Sequence, residues 1–227
     1  MPGKYVSIVI PTLNEASNIR PLVRGIRGVM KGYSYEIIVV DGHSTDGTDR
    51  IARSVGARVF YDTRGKGGAL MTGFKKARGK VIIAMDADLS NRPQELKLLI
   101  AGIETGYDMC TGSRFITGGG SDDITLLRRF GGKSFVALLN LLYGTHFSDM
   151  SYGYKAFTKD AIKRLKLTEL KEGIEPDMHT RAAIVGLKVI EVPSFEKRRA
   201  GGEPKMRTLK MGTATLRTIF KNLNSRS

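Results

Sequence analysis

The sequence predicts an α/β fold, with a mostly parallel central sheet covered by helices on both faces. Two observations carry that expectation. Short apolar runs, such as Val81 to Met85, are continuous rather than alternating, the pattern of strands buried on both sides. Between them lie segments with helical spacing, so that strand and helix alternate four times before Arg114, as right-handed parallel crossovers require.

Tyr5 to Thr12 is the first buried strand. Asn14-Glu15 then opens a helix whose apolar positions Ile19, Leu22, Val23, Ile26 and Met30 share one face. Its start places backbone N–H groups and Glu15 at the sheet's carboxyl edge, where ligands bind in open α/β sheets. Glu36 to Asp41 is the second strand, and the turn Gly42 to Thr48 launches a helix over Asp49 to Val55. Asp41 suits either a ligand-facing position or a turn. Arg58 to Tyr61 is the third strand. Arg64-Gly65-Lys66-Gly67-Gly68 is a glycine-rich entry to the helix holding Met71, Phe74 and Ala77. Such an entry can cradle phosphate, but neither P-loop nor dinucleotide spacing is present.

The strand Val81 to Met85 ends in Asp86-Ala87-Asp88. At a strand's end both carboxylates can lean toward one point and hold Mg²⁺ or Mn²⁺ together with substrate phosphates. They equally suit capping of the next helix, around Glu95 to Ile103, which Asn91 as N-cap and Pro93 in the first turn are expected to open. Tyr107 to Arg114 is another strand, ending in a cation. The stretch 115–125, with Gly118-Gly119-Gly120, has the composition of a mobile surface loop.

A helix from Leu126 to Tyr143 starts with Arg128-Arg129 and becomes strongly apolar from Phe135. Asp149 to Phe157 is extended, and Lys159 to Leu165 is a short helix. Glu175-Pro176-Asp177 begins another, reaching Val185, with its acids at the positive end. Leu187 to Val192 is a last strand. His179 is expected at a helical surface or boundary, and His43 and His146 do not combine with it into a metal-ligand spacing.

The segment Lys197 to Met206 is cationic and too polar for core. Residues 207–227 put Leu209, Leu216, Ile219, Phe220 and Leu223 on one helical face, with Lys210, Arg217 and Lys221 on another. That cationic amphipathic helix suits an anionic membrane surface, or packing on the domain with its charges solvated. The expected division is a domain over 1–206 followed by this helix.

With 227 residues, 41% apolar and 26% charged, the chain has the composition of a globular α/β domain. Its net charge of +15 implies an anionic partner: nucleic acid, a phosphate-bearing substrate or an acidic membrane surface. Cys110 is the single cysteine, which excludes an internal disulfide, and Met1 to Val9 lack a signal-peptide pattern. A reducing, cytoplasmic site is the expectation. No apolar run is long enough to span a bilayer. Aromatic residues are not interleaved with the cations of the basic tail, which argues against a nucleic-acid partner.

Taken together, Pro11-Thr12-Leu13-Asn14-Glu15, Asp41-Gly42-His43-Ser44-Thr45-Asp46-Gly47-Thr48, Asp86-Ala87-Asp88, Gly112-Ser113-Arg114 and Ser151-Tyr152-Gly153-Tyr154-Lys155 occur in the order of the family 2 glycosyltransferases. The chain most resembles the polyprenyl-phosphate glycosyltransferases of the dolichol-phosphate mannose synthase type, over about residues 4–206. The resemblance implies a GT-A fold and an inverting, metal-dependent transfer. The expected donor is GDP-mannose or UDP-glucose, and the expected acceptor is dolichyl or another polyprenyl phosphate.

It also implies roles. Pro11, Leu13, Glu15, Asp41 and Ser44 would hold base and ribose, with Gly68 near the nucleotide. Asp86 would meet the ribose or metal, Ala87 would lie beside it in the donor site, and Asp88 would be the principal ligand for Mg²⁺ or Mn²⁺. Arg114 and Arg128 match positions used around the acceptor phosphate, and Arg199 and Lys205 match the basic C-terminal loop. By the same resemblance the protein works peripherally at the cytoplasmic face of a membrane. Related enzymes carry their own membrane helices or borrow a subunit's, so a membrane-anchoring subunit belongs among the partners to consider.

In such a transfer a divalent ion neutralises the departing nucleoside diphosphate. A phosphate acceptor needs no general base, because the second pKa of a phosphate monoester is about 6. A hydroxyl acceptor, soluble or on a glycan, would need one, and Asp177 is the candidate. The loop 115–125 is expected to close over the donor and exclude water.

Overall fold

The computed structural model describes residues 5–199 and 208–224. Seven strands form one sheet in the order β3-β2-β1-β4-β7-β5-β8: β1 (Val6–Thr12), β2 (Tyr35–Asp41), β3 (Arg58–Tyr61), β4 (Val81–Ala84), β5 (Met109–Ser113), β7 (Lys155–Thr158) and β8 (Val189–Pro193). All neighbours pair in parallel except β7, which runs antiparallel between β4 and β5. The parallel strands therefore share one carboxyl edge. A separate two-stranded ribbon joins β6 (Gly120–Ser121) to β9 (Phe195–Glu196).

Alternation along β1 explains the two-sided burial. Ile8 and Ile10 face a core with Val39, Ile83, Leu22, Ile26, Leu99 and Ile103, beneath helices α1 (Ala16–Val29), α2 (Thr48–Ser54) and α4 (Leu96–Glu104). Val9 faces the other way, with Ile38, Val40, Ile82, Leu70, Phe74 and Met178, under α3 (Lys66–Lys76), α6 (Lys159–Leu165) and α7 (Ile174–Ile184). Cys110 is wholly buried, and burial pushes its thiol up to about 12, so it is inert.

A third apolar cluster, with Val136, Leu139, Tyr143 and Ile219, binds α5 (Leu126–Tyr143) to α8 (Thr208–Leu223). α8 is held by polar contacts as well: Tyr143 Oη donates to the Ile219 carbonyl (2.6 Å), and Asn222 Nδ2 donates to Asp177 Oδ1 (2.7 Å) and Thr180 Oγ1 (2.7 Å). Its buried side thus packs on the domain. No helix among the described residues is long and apolar enough to cross a membrane.

Three local expectations are corrected. Asn91 is not an N-cap: Pro93–Glu95 form a 3-10 turn ahead of α4, and no side-chain cap bond is made there. The stretch 115–125 is not a free loop, because β6 pairs with β9. His179 is fully buried rather than at a surface or boundary, edge-on to Phe147 at 4.8 Å.

Candidate functional site

The site begins where β4 leaves the sheet. Met85 N still donates to Val9 O (3.0 Å), after which the chain turns through Asp86-Ala87-Asp88 with Leu89 at φ 64°. Two side chains close this turn. Asn91 Oδ1 accepts from the Asp86 backbone N–H (2.7 Å), and Asp88 Oδ1 accepts from Ser90 N (3.1 Å) and Ser90 Oγ (2.6 Å). A loop fixed by its own bonds holds the two carboxylates at the carboxyl edge without help from a ligand.

Cations meet them from two directions. Lys66, the first residue of α3, places Nζ 2.7 Å from Asp86 Oδ1 and 2.8 Å from Glu175 Oε1 on α7. The bridge fits because residue 153 is glycine: a Cβ there would come within 2.8 Å of Asp86 Oδ2 and 3.0 Å of Lys66 Nζ. From the other side Arg199 Nε lies 3.3 Å from Asp88 Oδ2 and 3.8 Å from Asp123 Oδ2.

The two acids titrate apart. Burial raises Asp86, but the Lys66 ammonium outweighs it and the carboxyl is held below its usual range. Asp88 is raised, first by burial and then by the neighbouring Asp86 charge. A partly buried pair of this kind invites a further cation. Two carboxylates with hard oxygens fit Mg²⁺ or Mn²⁺, which bind through one or two carboxylates and complete their shell with phosphate oxygens and water. Among the described residues no group of three or more His, Cys, Asp or Glu side chains could hold an ion unaided.

The residues expected to hold base and ribose lie along the ends of β1 and β2. Asp41 is almost wholly buried, and its oxygens accept from Ser44 N (2.9 Å), Ser44 Oγ and Thr12 Oγ1 (3.2 Å). Ser44 Oγ accepts in turn from Asn14 N (2.8 Å), and Asn14 Oδ1 from Thr45 N (2.9 Å), which locks the two strand ends together. Asp41 therefore builds this edge. Leu13 is exposed, Pro11 and Glu15 are half-buried, and Ala87 is buried. Gly68 sits against Arg64 and Asp62, where a Cβ would meet Arg64 Cβ at 2.8 Å and Asp62 Oδ1 at 3.0 Å.

The cations expected at the acceptor phosphate separate. Arg114, expected at the acceptor phosphate, is already neutralised: its side chain is 8% exposed and donates to Asp149 (2.7 and 3.0 Å), Glu196 (3.0 Å) and Ser151 (2.7 Å). Glu196 also accepts from Ser121 Oγ (2.6 Å), so Arg114 fastens the β6–β9 ribbon to the sheet. Arg128 lies in the first turn of α5, whose N-cap Thr125 accepts from its backbone N–H. Arg199 reaches Asp88, as above, and Lys205 lies outside the described residues. Asp177 has no oxygen to spare for a base. It is wholly buried and accepts from Thr168 N (2.8 Å), Glu169 N (3.0 Å), Arg181 Nε (2.6 Å) and Asn222 Nδ2 (2.7 Å).

Sequence reasoning missed Lys66 as a contact of Asp86, and Glu175 and Asp123 as partners of the site's cations. The lysine within Gly65-Lys66-Gly67 was the available signal. It also missed Lys155, which is fully buried with Nζ bonded to Tyr152 O and its pKa pushed down by burial to about 8.

Comparison with known proteins places this geometry in context. The family model described as "Glycosyl transferase family 2" matches residues 7–166. A dolichol-phosphate mannosyltransferase of Pyrococcus furiosus is 32% identical over 210 residues, covering 89% of this chain but 59% of the relative's own length. An undecaprenyl-phosphate mannosyltransferase of Micrococcus luteus is 31% identical, covering 88% of this chain and 87% of the relative. Among solved structures, glucosyl-3-phosphoglycerate synthase from Mycobacterium tuberculosis, in complex with Mn²⁺, UDP and phosphoglyceric acid, superposes with a TM-score of 0.75 at 21% identity. That match covers 97% of this chain and 79% of the other. At that identity the likeness establishes the fold, the GT-A arrangement.

Proposed function

Since the chain belongs to glycosyl transferase family 2, we propose that it moves a hexose from a nucleotide-sugar, GDP-mannose or UDP-glucose, onto a polyprenyl phosphate such as dolichyl phosphate at a membrane surface. The observation that carries the proposal is the convergence of Asp86 and Asp88, Lys66 and Arg199 at one point of the carboxyl edge. The relatives named for dolichol- and undecaprenyl-phosphate mannosyl transfer support the acceptor class.

Asp88, with Asp86 beside it, would hold Mg²⁺ or Mn²⁺. When bound, that ion supplies neutralisation of the negative charge released on the nucleoside diphosphate. The chain's own residues do the rest. Lys66 keeps Asp86 ionised and oriented. The interlocked turns at Asn14 and Asp41–Thr45 pre-form the nucleotide edge, so little ordering is left to binding. Arg199 and Arg128 would serve the acceptor, their positive charge drawing and orienting a phosphate dianion. Such an acceptor arrives deprotonated near neutral pH, which agrees with the absence of a spare oxygen on Asp177. The ribbon of β6 and β9 fixes the segment 115–125, whose Asp123 shares Arg199 with Asp88, and this segment would serve as a cover against water attack on the donor.

The test is incubation of the protein with radiolabelled GDP-mannose or UDP-glucose, Mn²⁺ and polyprenyl phosphate. Label that becomes organic-extractable and labile to mild acid supports the proposal. Label that stays aqueous, as free sugar or a soluble glycoside, contradicts the lipid acceptor.

A further inference from the structure

Glu95 belongs to neither the charged cluster at the end of β4 nor the edge at β1 and β2, yet its carboxylate is almost wholly buried. It closes the 3-10 turn Pro93–Glu95 and makes no capping bond to α4. Both oxygens are used elsewhere: Oε1 accepts from the Phe195 backbone N–H (3.0 Å), and Oε2 accepts from Ser194 Oγ. Those partners lie 100 and 99 residues away, so the bonds join two distant parts of the chain rather than shape a local turn. A buried backbone N–H that loses its acceptor is costly, which makes Glu95 a strong constraint on Phe195.

The constrained segment is the one that delivers Arg199. On one side it is bonded to the sheet and ribbon: Ser194 N donates to Ser113 O (3.0 Å), Gly120 N to Ser194 O (3.1 Å) and Asp122 N to Glu196 O (2.9 Å). Ser194 can approach β5 because residue 112 is glycine, where a Cβ would come within 2.9 Å of Ser194 Cβ. On the other side it is gripped by the stretch that follows Asp88. Ser90 O accepts from Lys197 N (3.0 Å), the Arg92 guanidinium lies 5.2 Å from the centre of the Phe195 ring, and Glu95 holds Ser194 and Phe195. Arg199 is four residues past Phe195, a span of at most about 14 Å, so the reach of its guanidinium depends on where Phe195 and Lys197 are fixed.

We propose that Glu95 is a positioning residue for Arg199: by holding Ser194 and Phe195 it sets the place at which Lys197 meets Ser90 and the guanidinium meets Asp88. The proposal rests on Asp88 as the acid that holds the metal ion, and extends that reading to a residue whose own bonds run to Ser194 and Phe195 instead. Geometry and charge can be separated here. Glu95→Gln keeps an oxygen for the Phe195 N–H and an amide that can donate to Ser194 Oγ, so it preserves the hold while losing the charge. Glu95→Ala loses both.

The test combines calorimetric titration of Mn²⁺, without donor, with amide hydrogen exchange followed by NMR, on the full chain and its variants. Glu95→Ala should bind Mn²⁺ about two- to fivefold more tightly than wild type, as expected for Arg199→Ala, because the guanidinium no longer shares Asp88. The double variant Glu95→Ala/Arg199→Ala should gain nothing beyond Arg199→Ala alone. Glu95→Gln should stay at the wild-type affinity. Exchange at the Phe195 and Lys197 amides should quicken about tenfold in Glu95→Ala, with β4 and β5 amides unchanged, and should stay slow in Glu95→Gln. If Glu95→Ala does not fold, Ser194→Ala, which removes one of the two bonds, should show the same changes at smaller size. Additive effects of the two substitutions, a Glu95→Gln that behaves as Glu95→Ala, or Glu95→Ala with wild-type affinity beside a tighter Arg199→Ala each overturn the proposal. If Arg199→Ala leaves Mn²⁺ binding unchanged, the metal reading of Asp88 fails separately, and exchange decides the positioning: loss of protection at Lys197 in Glu95→Ala supports it, and wild-type protection there overturns it.

Discussion

Arg199 Nε lies 3.3 Å from Asp88 Oδ2, so the basic segment after β9 reaches back to the acid at the end of β4. A metal ion held by Asp88 would share this carboxylate with the guanidinium. Removing it should make the acid more available. Arg199→Ala is expected to bind Mn²⁺, without donor, about two- to fivefold more tightly, the scale of a partly exposed ion pair. Turnover should nevertheless fall, because the cation proposed for the acceptor phosphate is removed with it. Calorimetric titration of Mn²⁺ into both proteins measures the first effect, and an unchanged or weaker affinity in the variant would refute the competition.

Lys66 is the bridge between Asp86 and Glu175. Lys66→Met leaves two partly buried carboxylates facing each other without a cation. Because the lysine side chain is 36% exposed, the expected destabilisation is about 1–3 kcal/mol rather than that of a fully buried pair. Adding Glu175→Gln should recover part of it, a coupling that urea denaturation of the four proteins in the cycle will read. Strict additivity would show that the bridge contributes nothing.

Arg114 discriminates a structural role from an acceptor role. Its charge is spent on Asp149 and Glu196, both buried or nearly so. Arg114→Ala should cost about 3–5 kcal/mol of stability by leaving Asp149 unpaired, and Arg114→Lys should recover little, because one ammonium cannot reproduce the two-pronged contact. Stability at the wild-type level in Arg114→Ala, with turnover alone reduced, would return Arg114 to the acceptor phosphate.

These three residues also mark how far the sequence could be read. The strands, their order of alternation and the acids at positions 86 and 88 followed from apolar runs and what terminates them. Arg114 was recognised as a cation at a strand's end, but its partners lie 35 and 82 residues away, and pairing across such separations has no local signature. Lys66 was hidden by the glycines around it, which drew the expectation toward backbone phosphate contacts. Lys155 and His179 were illegible for another reason: a charged or polar residue is normally solvated, and only tertiary packing places these two at zero exposure. The antiparallel insertion of β7 has the same origin, since a four-residue strand carries no mark of direction.

His179 gives the pH dependence. Burial, with Lys155 adding to it, pushes its pKa down to about 3 from the ordinary 6.5, so the imidazole is neutral in the fold. Between those values the unfolded chain binds more protons than the native one, and stability therefore falls as pH drops below about 6.5 and is unaffected by this group above it. Moving from about pH 7.5 to about pH 5 should cost wild type about 2 kcal/mol more than His179→Gln, measured by urea denaturation. Parallel losses in the two proteins would mean that the buried imidazole is protonated without penalty.

In the proposed reaction the carboxylate of Asp88 ties a divalent ion, and through it the donor, to the end of β4. The direct measurement is Asp88→Asn, followed by Mn²⁺-dependent turnover of nucleotide-sugar and by the rise in melting temperature that Mn²⁺ with donor produces. Turnover should fall by about a hundredfold or more and the Mn²⁺-dependent rise should vanish, while the ligand-free protein melts as wild type does. Full turnover with an intact Mn²⁺ response in Asp88→Asn would contradict the assignment.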